Sequence, residues 1–399
     1  MHLLFDLTTT QPTGYRGQTT FHGGSEYTKS VFKKLLLDNR SIQVTAFYDS
    51  RRPLSEDLSQ LVPRLKELIS IDNITKLPAL IKTRRIDRVF SSEPLDLGTI
   101  FLGEVEFVGT IHGLRSIEVL VDRFELIFRH SNKDIGRYWA KKIFNSQILK
   151  ERKHRLRSLF QISNRWKYFV SSNHTLYTLL LTFPEINPRD IILAYCASPE
   201  RGVCISSDLL CQLKLKRGGF YLLTSANRWV KNPIRAIIAL DRILTSFPHI
   251  DKNVIVTGID DQTVMKRIYR LIRNKNRFTF LGYVSRNDLE IFYRDAFCLI
   301  FPTLNEGYGY PPGEAMKYGT PVIGAAVTSI TEVYGNSIMY FEPHSIMELE
   351  ARILQMTLDS ECRDWYSKRG LDMYRSLMDA QAEGLNLTVK LVASCDFFQ

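Results

Sequence analysis

Short apolar segments recur along the chain and alternate with stretches of helix length. The segments are rich in Val, Ile, Phe and Tyr, which is typical of strands that are buried on both faces. A first series comprises His2–Leu7, Ile42–Tyr48, Val108–His112, Tyr168–Ser171 and Ile191–Tyr195, and a second series comprises Phe220–Ser225, Val254–Gly258, Phe278–Gly282, Cys298–Pro302, Pro321–Gly324 and Ile338–Phe341. Buried strands that alternate with helices predict a parallel sheet with helices on both sides, so two series predict two α/β domains.

The break between the two series falls in Ser198–Gly219, which is punctuated by Gly and Pro. We therefore predict an N-terminal domain over residues 1–200 and a C-terminal domain over residues 201–375. Residues after Asp359 have the pattern of helix without further strands, and 376–399 are expected to form a helical tail that packs on the N-terminal domain. A length of 399 residues agrees with two domains.

The composition is that of a globular protein, with 44% hydrophobic and 24% charged residues. No apolar run approaches the ~18 residues that a membrane span needs. The first ten residues have no basic leader, so we expect no signal peptide. The six cysteines show neither a CxxC pair nor metal-ligand spacing. These features favour a cytoplasmic protein with reduced thiols.

Positive charge is concentrated in Arg123–Lys167, which carries thirteen Lys and Arg against three acids and so accounts for most of the net charge of +11. Apolar and aromatic residues, among them Trp139 and Phe144, are interleaved with these charges. Such a segment can lie on an anionic membrane or a lipid-linked acceptor, or bind nucleic acid. It can also be a solvated helix with its apolar side on the core, and these alternatives stay open at this point.

The stretch Cys298–Gly324 predicts a strand, a loop and a helix in succession. Asn305–Tyr310 is a glycine-punctuated loop that follows a buried strand. Pro311 and Pro312 suit the first turn of a helix, where a missing N–H costs nothing. Gly319 suits the left-handed residue that ends a helix. The loop and the helix start therefore lie at the carboxyl edge of a parallel sheet, where ligands bind in such folds.

This loop carries the chemistry expected for a nucleotide-sugar. Gly307 and Gly309, on either side of Tyr308, allow the backbone to approach a ligand closely. The N–H groups of the helix start favour phosphate. Glu306 and Glu314 flank the same point, and they would accept hydrogen bonds from neutral hydroxyls. A nucleotide-diphosphate sugar offers both a diphosphate and many hydroxyls.

The pattern from Glu306 to Ile323, E-G-Y-G-x-P-x-x-E-A-M-x-x-G-x-P-V-I, resembles the signature of the retaining GT-B glycosyltransferases of family 4, also called glycosyl transferases group 1. The resemblance implies an α/β fold of two Rossmann-like, doubly wound domains that face each other across a cleft. It further implies that Glu306 contacts the donor sugar and that Glu314 contacts the ribose hydroxyls. The resemblance is dense only in the second half of the chain.

Two cations follow the first strand of the predicted C-terminal domain. Arg228 and Lys231 lie between that strand and the next helix, at the same edge of the sheet. Fixed cations there would hold a diphosphate and neutralise the leaving group as the glycosidic bond breaks. The family that the chain resembles has an Arg and a Lys in this loop for that purpose.

Two further turns belong to the predicted site or lie beside it. Tyr283 and Val284 follow a strand, and in the family this turn contacts the base through its backbone. Ser329 and Glu332 match a capping box, in which Ser329 would be the N-cap and Glu332 would reach back to it. We interpret that second pair as structural.

In the N-terminal domain, Gly23 and Gly24 precede a helix that is predicted to end near Leu37. With Glu26 they match a G-G-x-E element that the family places near the donor phosphate. His112 ends a predicted strand, and similar enzymes carry a histidine there that hydrogen-bonds the donor sugar. These are the predicted site residues of this domain.

We therefore predict a retaining, metal-independent hexosyltransferase. It would move a sugar from a nucleotide-diphosphate donor to a glycan or lipid-linked acceptor in cell-surface polysaccharide synthesis. Asp260 and Asp261 are adjacent rather than spaced as metal-binding acids, and no cofactor is expected. The nucleotide-sugar and acceptor are the expected partners, without nucleic acid, and the inner face of the membrane is a further expected location.

Two alternatives come from other functional classes. One is a non-catalytic GT-B-like partner that binds a sugar nucleotide in a glycan-assembly complex. The other is a dinucleotide-dependent oxidoreductase. Gly307 and Gly309 argue against it, because they do not follow the first strand of a dinucleotide-binding half.

Overall fold

The structure is a computed structural model that describes residues 1–12, 23–39, 41–54, 56–197 and 208–398. It divides into two compact units: Met1–Leu114 with Leu149–Glu200 and Met378–Gln399, and Arg115–Ile148 with Arg201–Leu377. Residues 115–148, which the sequence prediction included in the N-terminal domain, group with the second unit. The C-terminal residues from Met378 onwards group with the first.

The first unit contains a seven-stranded parallel sheet among its described residues, in the order β3-β2-β1-β4-β5-β6-β7. Its strands are β1 (His2–Asp6), β2 (Gln43–Asp49), β3 (Glu67–Ile71), β4 (Arg88–Ser91), β5 (Glu106–Ile111), β6 (Trp166–Val170) and β7 (Ile191–Leu193). The five strands predicted for this part of the chain are all present. The strands β3 and β4 were not predicted, because ELISI and RVFS each carry a charged residue and are short.

Helices follow most of these strands. They are α1 (Gly23–Asp38), α2 (Glu56–Ser59), α3 (Leu77–Arg84), α4 (Arg115–Glu118), α5 (Asn132–Ile143), α6 (Asn145–Arg157) and α7 (Asn173–Thr182). Of these, α4 and α5 belong to the second unit. The N-terminus of α5 is capped by Ser131, whose side chain accepts a hydrogen bond from the backbone N–H of Asp134.

The second unit contains a six-stranded parallel sheet in the order β10-β9-β8-β11-β12-β13 among its described residues. Its strands are β8 (Phe220–Leu223), β9 (Asn253–Thr257), β10 (Phe278–Leu281), β11 (Cys298–Phe301), β12 (Val322–Ala325) and β13 (Met339–Phe341), and all six were predicted. The strand order reverses direction between β8 and β11. In open α/β sheets the crevice outside the carboxyl ends of two such strands is the preferred place for a ligand.

The helices of the second half are α8 (Asp208–Gln212), α9 (Pro233–Ser246), α10 (Gln262–Tyr269), α11 (Arg286–Asp295), α12 (Tyr310–Met316), α13 (Thr328–Tyr334), α14 (Ile346–Leu358) and α15 (Ser360–Ala393). Apolar side chains of α9 and α14, among them Leu240 and Ile353, are fully buried in one core with the sheet residues Val256 and Ile300. This core fixes the strands after which the candidate site residues lie.

The end of α15 is anchored within the first unit by Arg88. The Arg88 side chain is completely buried, and its Nη1 atom donates hydrogen bonds to the backbone carbonyls of Leu391, Val392 and Ser394. A helix end leaves its last carbonyls without the usual intrahelical partners, and Arg88 satisfies that of Val392 in this way. Among the described residues, no helix is long and apolar enough to cross a membrane.

Candidate active site

The loop after β8 and the loop after β11 are tied together by Asn232. This residue has a left-handed backbone with φ of 55°, and its side-chain nitrogen donates to the carbonyls of Pro302 and Pro343 at 2.8 Å each. The backbone N–H of Leu304 also donates to the carbonyl of Val230 at 2.9 Å. Residues that were predicted from two distant parts of the sequence are thus held at one edge of the sheet.

Lys231 and Glu306 form a buried ion pair at this edge. The Lys231 Nζ atom lies 2.5 Å from Glu306 Oε1, and the Thr303 hydroxyl donates to the same oxygen at 2.9 Å. Glu306 Oε2 has no hydrogen-bond partner among the described residues, so it remains available to accept a hydrogen bond from a ligand. The structure therefore brings together two of the residues that were predicted to be catalytic.

The pKa values of this pair reflect burial and the surrounding cations. Burial lowers the pKa of Lys231 to about 8, against the opposing effect of Glu306. Burial also opposes ionisation of Glu306, but Lys231 and Arg115 outweigh it and hold the pKa of Glu306 below its usual value. Glu306 is therefore ionised at neutral pH, and Lys231 titrates in the weakly alkaline range.

Two guanidinium groups surround the pair. Arg228 directly precedes the short 3-10 helix Trp229–Lys231 without a side-chain capping hydrogen bond. Both it and Arg115 act electrostatically on Glu306 and Lys231. In the part of the chain that the structure describes, neither side chain has a hydrogen bond or an ion pair with protein. Three cations thus share one carboxylate, which leaves positive charge for an anionic ligand. Arg115 was not predicted, because nothing local in the sequence relates it to the loop after β8.

The glycine loop is held by side chains of α13. Ser329 Oγ donates to the carbonyls of Glu306 and Tyr308, and the Tyr334 hydroxyl donates to the carbonyl of Gly309 at 2.5 Å. The Tyr308 side chain is itself buried, so it contributes to the packing beneath the loop. The predicted capping box is wrong, because Val327 is the N-cap residue of α13 and Ser329 lies inside the helix.

The helix α12 begins as predicted but offers fewer N–H groups than expected. Gly309, with φ of 87°, is its N-cap, and Gly319 is left-handed at φ of 71°. Pro311 and Pro312 have no N–H, and the N–H of Gly313 donates to the Tyr334 hydroxyl at 3.2 Å. A phosphate at this edge would therefore find its charge-bearing partners in the cations rather than in N–H groups of the helix start.

Glu314 and Glu306 have different cationic partners. Glu314 Oε1 lies 2.5 Å from the Arg286 guanidinium, which also contacts Glu290 at 3.1 Å. Arg286 is the first residue of α11 and follows the predicted base-contacting turn of Tyr283 and Val284. Tyr283 is exposed on that turn. In the sequence Arg286 is distinguished only by its place two residues after Val284, which does not indicate its contact with Glu314.

The remaining predicted residues lie in the first unit. Gly23 and Gly24 form the first turn of α1, and the preceding Phe21 and His22 lie outside the described residues. His112 follows β5 directly. Its Nδ1 atom is 3.5 Å from the Cys196 thiol. Its ring meets that of Tyr27 edge-on at 5.2 Å.

The profile of the family Glycosyl transferases group 1 matches residues 213–373. This range contains the loops after β8 and β11, and with them Arg228, Lys231, Glu306 and Glu314. Residues 213–373 are therefore similar to the glycosyl transferases group 1. The predicted resemblance to glycosyl transferases group 1 is thereby confirmed over these residues, whereas family 4 and retention stay predictions.

Two curated proteins that are similar to this chain are named as O-antigen chain mannosyltransferases. O-antigen chain mannosyltransferase B of Escherichia coli is 34% identical over 229 residues, which is 52% of this chain and 60% of that protein. O-antigen chain mannosyltransferase RfbU of Salmonella typhimurium is 30% identical over 131 residues, which is 33% of this chain and 36% of that protein. The chain thus matches from about a third to three fifths of the length of these two relatives.

Solved structures confirm the predicted GT-B fold class. Anabaena HepE, in complex with UDP and glucose, superimposes with a TM-score of 0.68 at 14% identity, over 99% of this chain and 100% of that one. WaaG, a glycosyltransferase involved in lipopolysaccharide biosynthesis, gives a TM-score of 0.66 at 14% identity, over 96% of this chain and 99% of that one. Identities this low show the fold alone.

Proposed function

We propose that this protein is a glycosyltransferase that transfers a hexose, with mannose as the first candidate, from a nucleotide-diphosphate sugar to a glycan or lipid-linked acceptor. The observation that carries the proposal is the buried Lys231–Glu306 pair with unpaired guanidinium groups beside it, where the strand order reverses. Such a site needs an anion for its excess cations and a hydroxyl for its carboxylate. The names of the curated relatives support mannose and cell-surface polysaccharide synthesis.

In this proposal Lys231 and Arg228 bind the donor diphosphate and neutralise the charge that develops on it as the sugar–phosphate bond breaks. Glu306 accepts a hydrogen bond from a sugar hydroxyl through Oε2, and Glu314 does so from the ribose. The acceptor hydroxyl attacks the anomeric carbon on the face that the diphosphate leaves, and its proton passes to an oxygen of the departing diphosphate. The configuration is then retained. Gly23, Gly24, Tyr283, Val284 and His112 stay predicted donor contacts.

We propose further that transfer needs no metal ion. Fixed cations at the diphosphate can supply the charge that a divalent ion would otherwise supply. Asp261, one of the two adjacent acids of the sequence, caps α10 by accepting hydrogen bonds from the N–H groups of Thr263 and Val264. Transfer that continues in excess EDTA is the expected result, and loss of transfer that Mg²⁺ or Mn²⁺ restores would contradict it.

The location that we propose is the cytoplasm, with peripheral attachment to an anionic membrane surface through Arg123–Lys167. In the second unit, α5 presents Trp139 and Ile143 one helical turn apart, and they are 47% and 69% exposed. The exposed cations Arg137 and Lys142 lie on the same helix. Aromatic and aliphatic side chains among cations suit the headgroup region of an anionic bilayer.

The experiment is a transfer assay on the purified protein with GDP- and UDP-linked hexoses, after a thermal-shift screen against GDP, UDP and NAD. We expect stabilisation by one nucleoside diphosphate but not by NAD, and transfer from the matching sugar donor. Glu306→Gln should lose transfer, whereas Glu332→Gln, at a half-buried position of α13, should keep it. Stabilisation without transfer to any acceptor would favour the non-catalytic binding partner.

A further inference from the structure

Arg115 is the one cation of the cluster that neither the sequence pattern nor the family resemblance assigns. It is the first residue of α4 and lies three positions after His112. Its guanidinium acts on Glu306, Lys231 and Arg228. Its Nε atom is buried and has no hydrogen-bond partner among the described residues. A buried N–H donor without a partner costs free energy unless a ligand accepts from it.

The segment that carries Arg115 is fixed to the site at two points. Glu118, at the end of α4, accepts a hydrogen bond from the Asn305 side chain at 2.8 Å, and Asn305 directly precedes Glu306. Asp122 forms a buried ion pair with Arg235 of α9 at 2.7 Å. Arg115 is therefore held beside Glu306 by contacts that do not involve its own side chain.

The charges around Glu306 show what Arg115 would bind. Lys231 already compensates the Glu306 carboxylate, so the half-buried Arg115 and the exposed Arg228 remain as unpaired cations. Burying part of the Arg115 guanidinium is costly unless an anion joins it. A guanidinium binds phosphate oxygens in a fork with two parallel hydrogen bonds. A diphosphate has oxygens enough for both arginines and for Lys231.

We propose that Arg115 is a binding residue for the diphosphate of the donor, so that three cations rather than two hold the leaving group. This inference rests on the proposed function and adds a residue to its site. If Arg115 only compensated Glu306, its removal would weaken the binding of nucleoside monophosphates and diphosphates equally. A contact with the terminal phosphate instead makes the loss specific to diphosphates.

The test is isothermal titration calorimetry of the full-length protein with GDP, UDP, GMP and UMP in buffer with EDTA. Arg115→Gln should weaken the binding of the preferred nucleoside diphosphate by about 10- to 100-fold, as expected for a charge-assisted hydrogen bond. It should change the binding of the corresponding monophosphate by less than about threefold. Arg115→Lys should give an intermediate loss. The matched control, Arg270→Gln, removes an exposed arginine of the same unit and should leave both affinities unchanged.

An equal loss for monophosphate and diphosphate, or a diphosphate affinity that matches the Arg270→Gln control, would overturn the inference. Should Arg115→Gln fail to fold by circular dichroism, Arg115→Lys decides by the same comparison. If the folded wild-type protein binds no nucleoside diphosphate, the proposed function fails. If the wild type binds and Lys231→Met does not, while Arg115→Gln binds normally, only the inference about Arg115 fails.

Discussion

The ammonium group of Lys231 lies 2.5 Å from the carboxylate of Glu306, and both side chains are more than nine-tenths buried. Because Arg115 and Arg228 are also close, the two partners are not equivalent. Removing Glu306 leaves three cations without an anion, whereas removing Lys231 leaves the carboxylate with two cations nearby.

We expect Glu306→Gln to lower the free energy of unfolding by about 3 kcal/mol, because it leaves a buried charge without its partner. Lys231→Met should cost less, and the double variant should be more stable than Glu306→Gln alone. Urea unfolding at pH 7 measures all three. The control is Lys76→Met, which breaks an exposed pair with Asp72 and should cost less than about 1 kcal/mol. Equal losses for both single variants would contradict this account of the charges.

The lowered pKa of Lys231 predicts a pH dependence of two quantities in opposite directions. Its pKa is about 8 in the folded protein and is higher in the unfolded chain, so between these values the unfolded chain binds more protons. The contribution of Lys231 to the free energy of unfolding therefore rises with pH above 8. Affinity for a nucleoside diphosphate should fall over the same range, because the ammonium loses its charge.

Lys231→Arg separates this titration from others. The guanidinium stays charged throughout the range, so the affinity of this variant should change little between pH 7 and pH 9.5, even if it starts lower. Calorimetric titration with the preferred diphosphate at several pH values measures this. An equally steep loss in the wild type and the variant would assign the titration to another group.

The loop between β11 and α12 requires glycine at position 309. The φ of Gly309 is 87°, and a Cβ there would lie 2.4 Å from Cδ1 of Ile330. We expect Gly309→Ala to cost about 1–3 kcal/mol of unfolding free energy, from the left-handed backbone and the displaced neighbour. Donor binding should weaken with it, since Glu306 lies in the same loop. Thermal unfolding and calorimetry check the two effects.

Gly136→Ala is the matched control for that substitution. Gly136 lies inside α5, and a Cβ there meets nothing within 4 Å. Alanine is better than glycine in a helix by about 0.5–1 kcal/mol, so this variant should be slightly stabilised. A loss of stability at position 136 would show that the surroundings of α5 differ from those described.

The proposed membrane contact predicts that Trp139→Ser and Ile143→Ser weaken binding to anionic vesicles. Each removes apolar area that would enter the headgroup region, so a several-fold loss of affinity is expected. Sedimentation with vesicles containing phosphatidylglycerol measures it, with pure phosphatidylcholine vesicles for comparison. Met347→Ser alters a still more exposed apolar residue of the same unit and should have no effect. Binding of the wild type to neither vesicle would rule the proposal out.

The sequence was sufficient for features that depend on neighbours along the chain. Eleven of the strands, the helix start at Pro311 and the left-handed Gly319 follow from local patterns of apolar residues, Pro and Gly. The strand β4 was missed because Arg88 reads as a polar position. Arg88 can be buried because Glu106 pairs with it and carbonyls about three hundred residues later accept its remaining hydrogen bonds.

The residues of the candidate site likewise divide into those that a local sequence pattern identified and those that only the fold brings together. Glu306 and Glu314 stand in a dense local pattern and were identified, although their roles stay predictions. The positions of Arg115 and Arg286 depend on where other segments fold, so no local pattern marks them. The capping box at Ser329 failed because its hydroxyl finds better partners in the carbonyls of the glycine loop, which only the folded structure brings within reach.

The anchoring of α15 by Arg88 has a consequence for synthesis on the ribosome. The first unit takes its strands from the beginning of the chain and its last helical turns from the end. While the chain is emerging, the Arg88 guanidinium has no helix end to bind, and β4 cannot reach its final surroundings. The first unit should therefore become resistant to proteases only after residue 394 has left the exit tunnel, and so later than the second unit, which ends at Leu377.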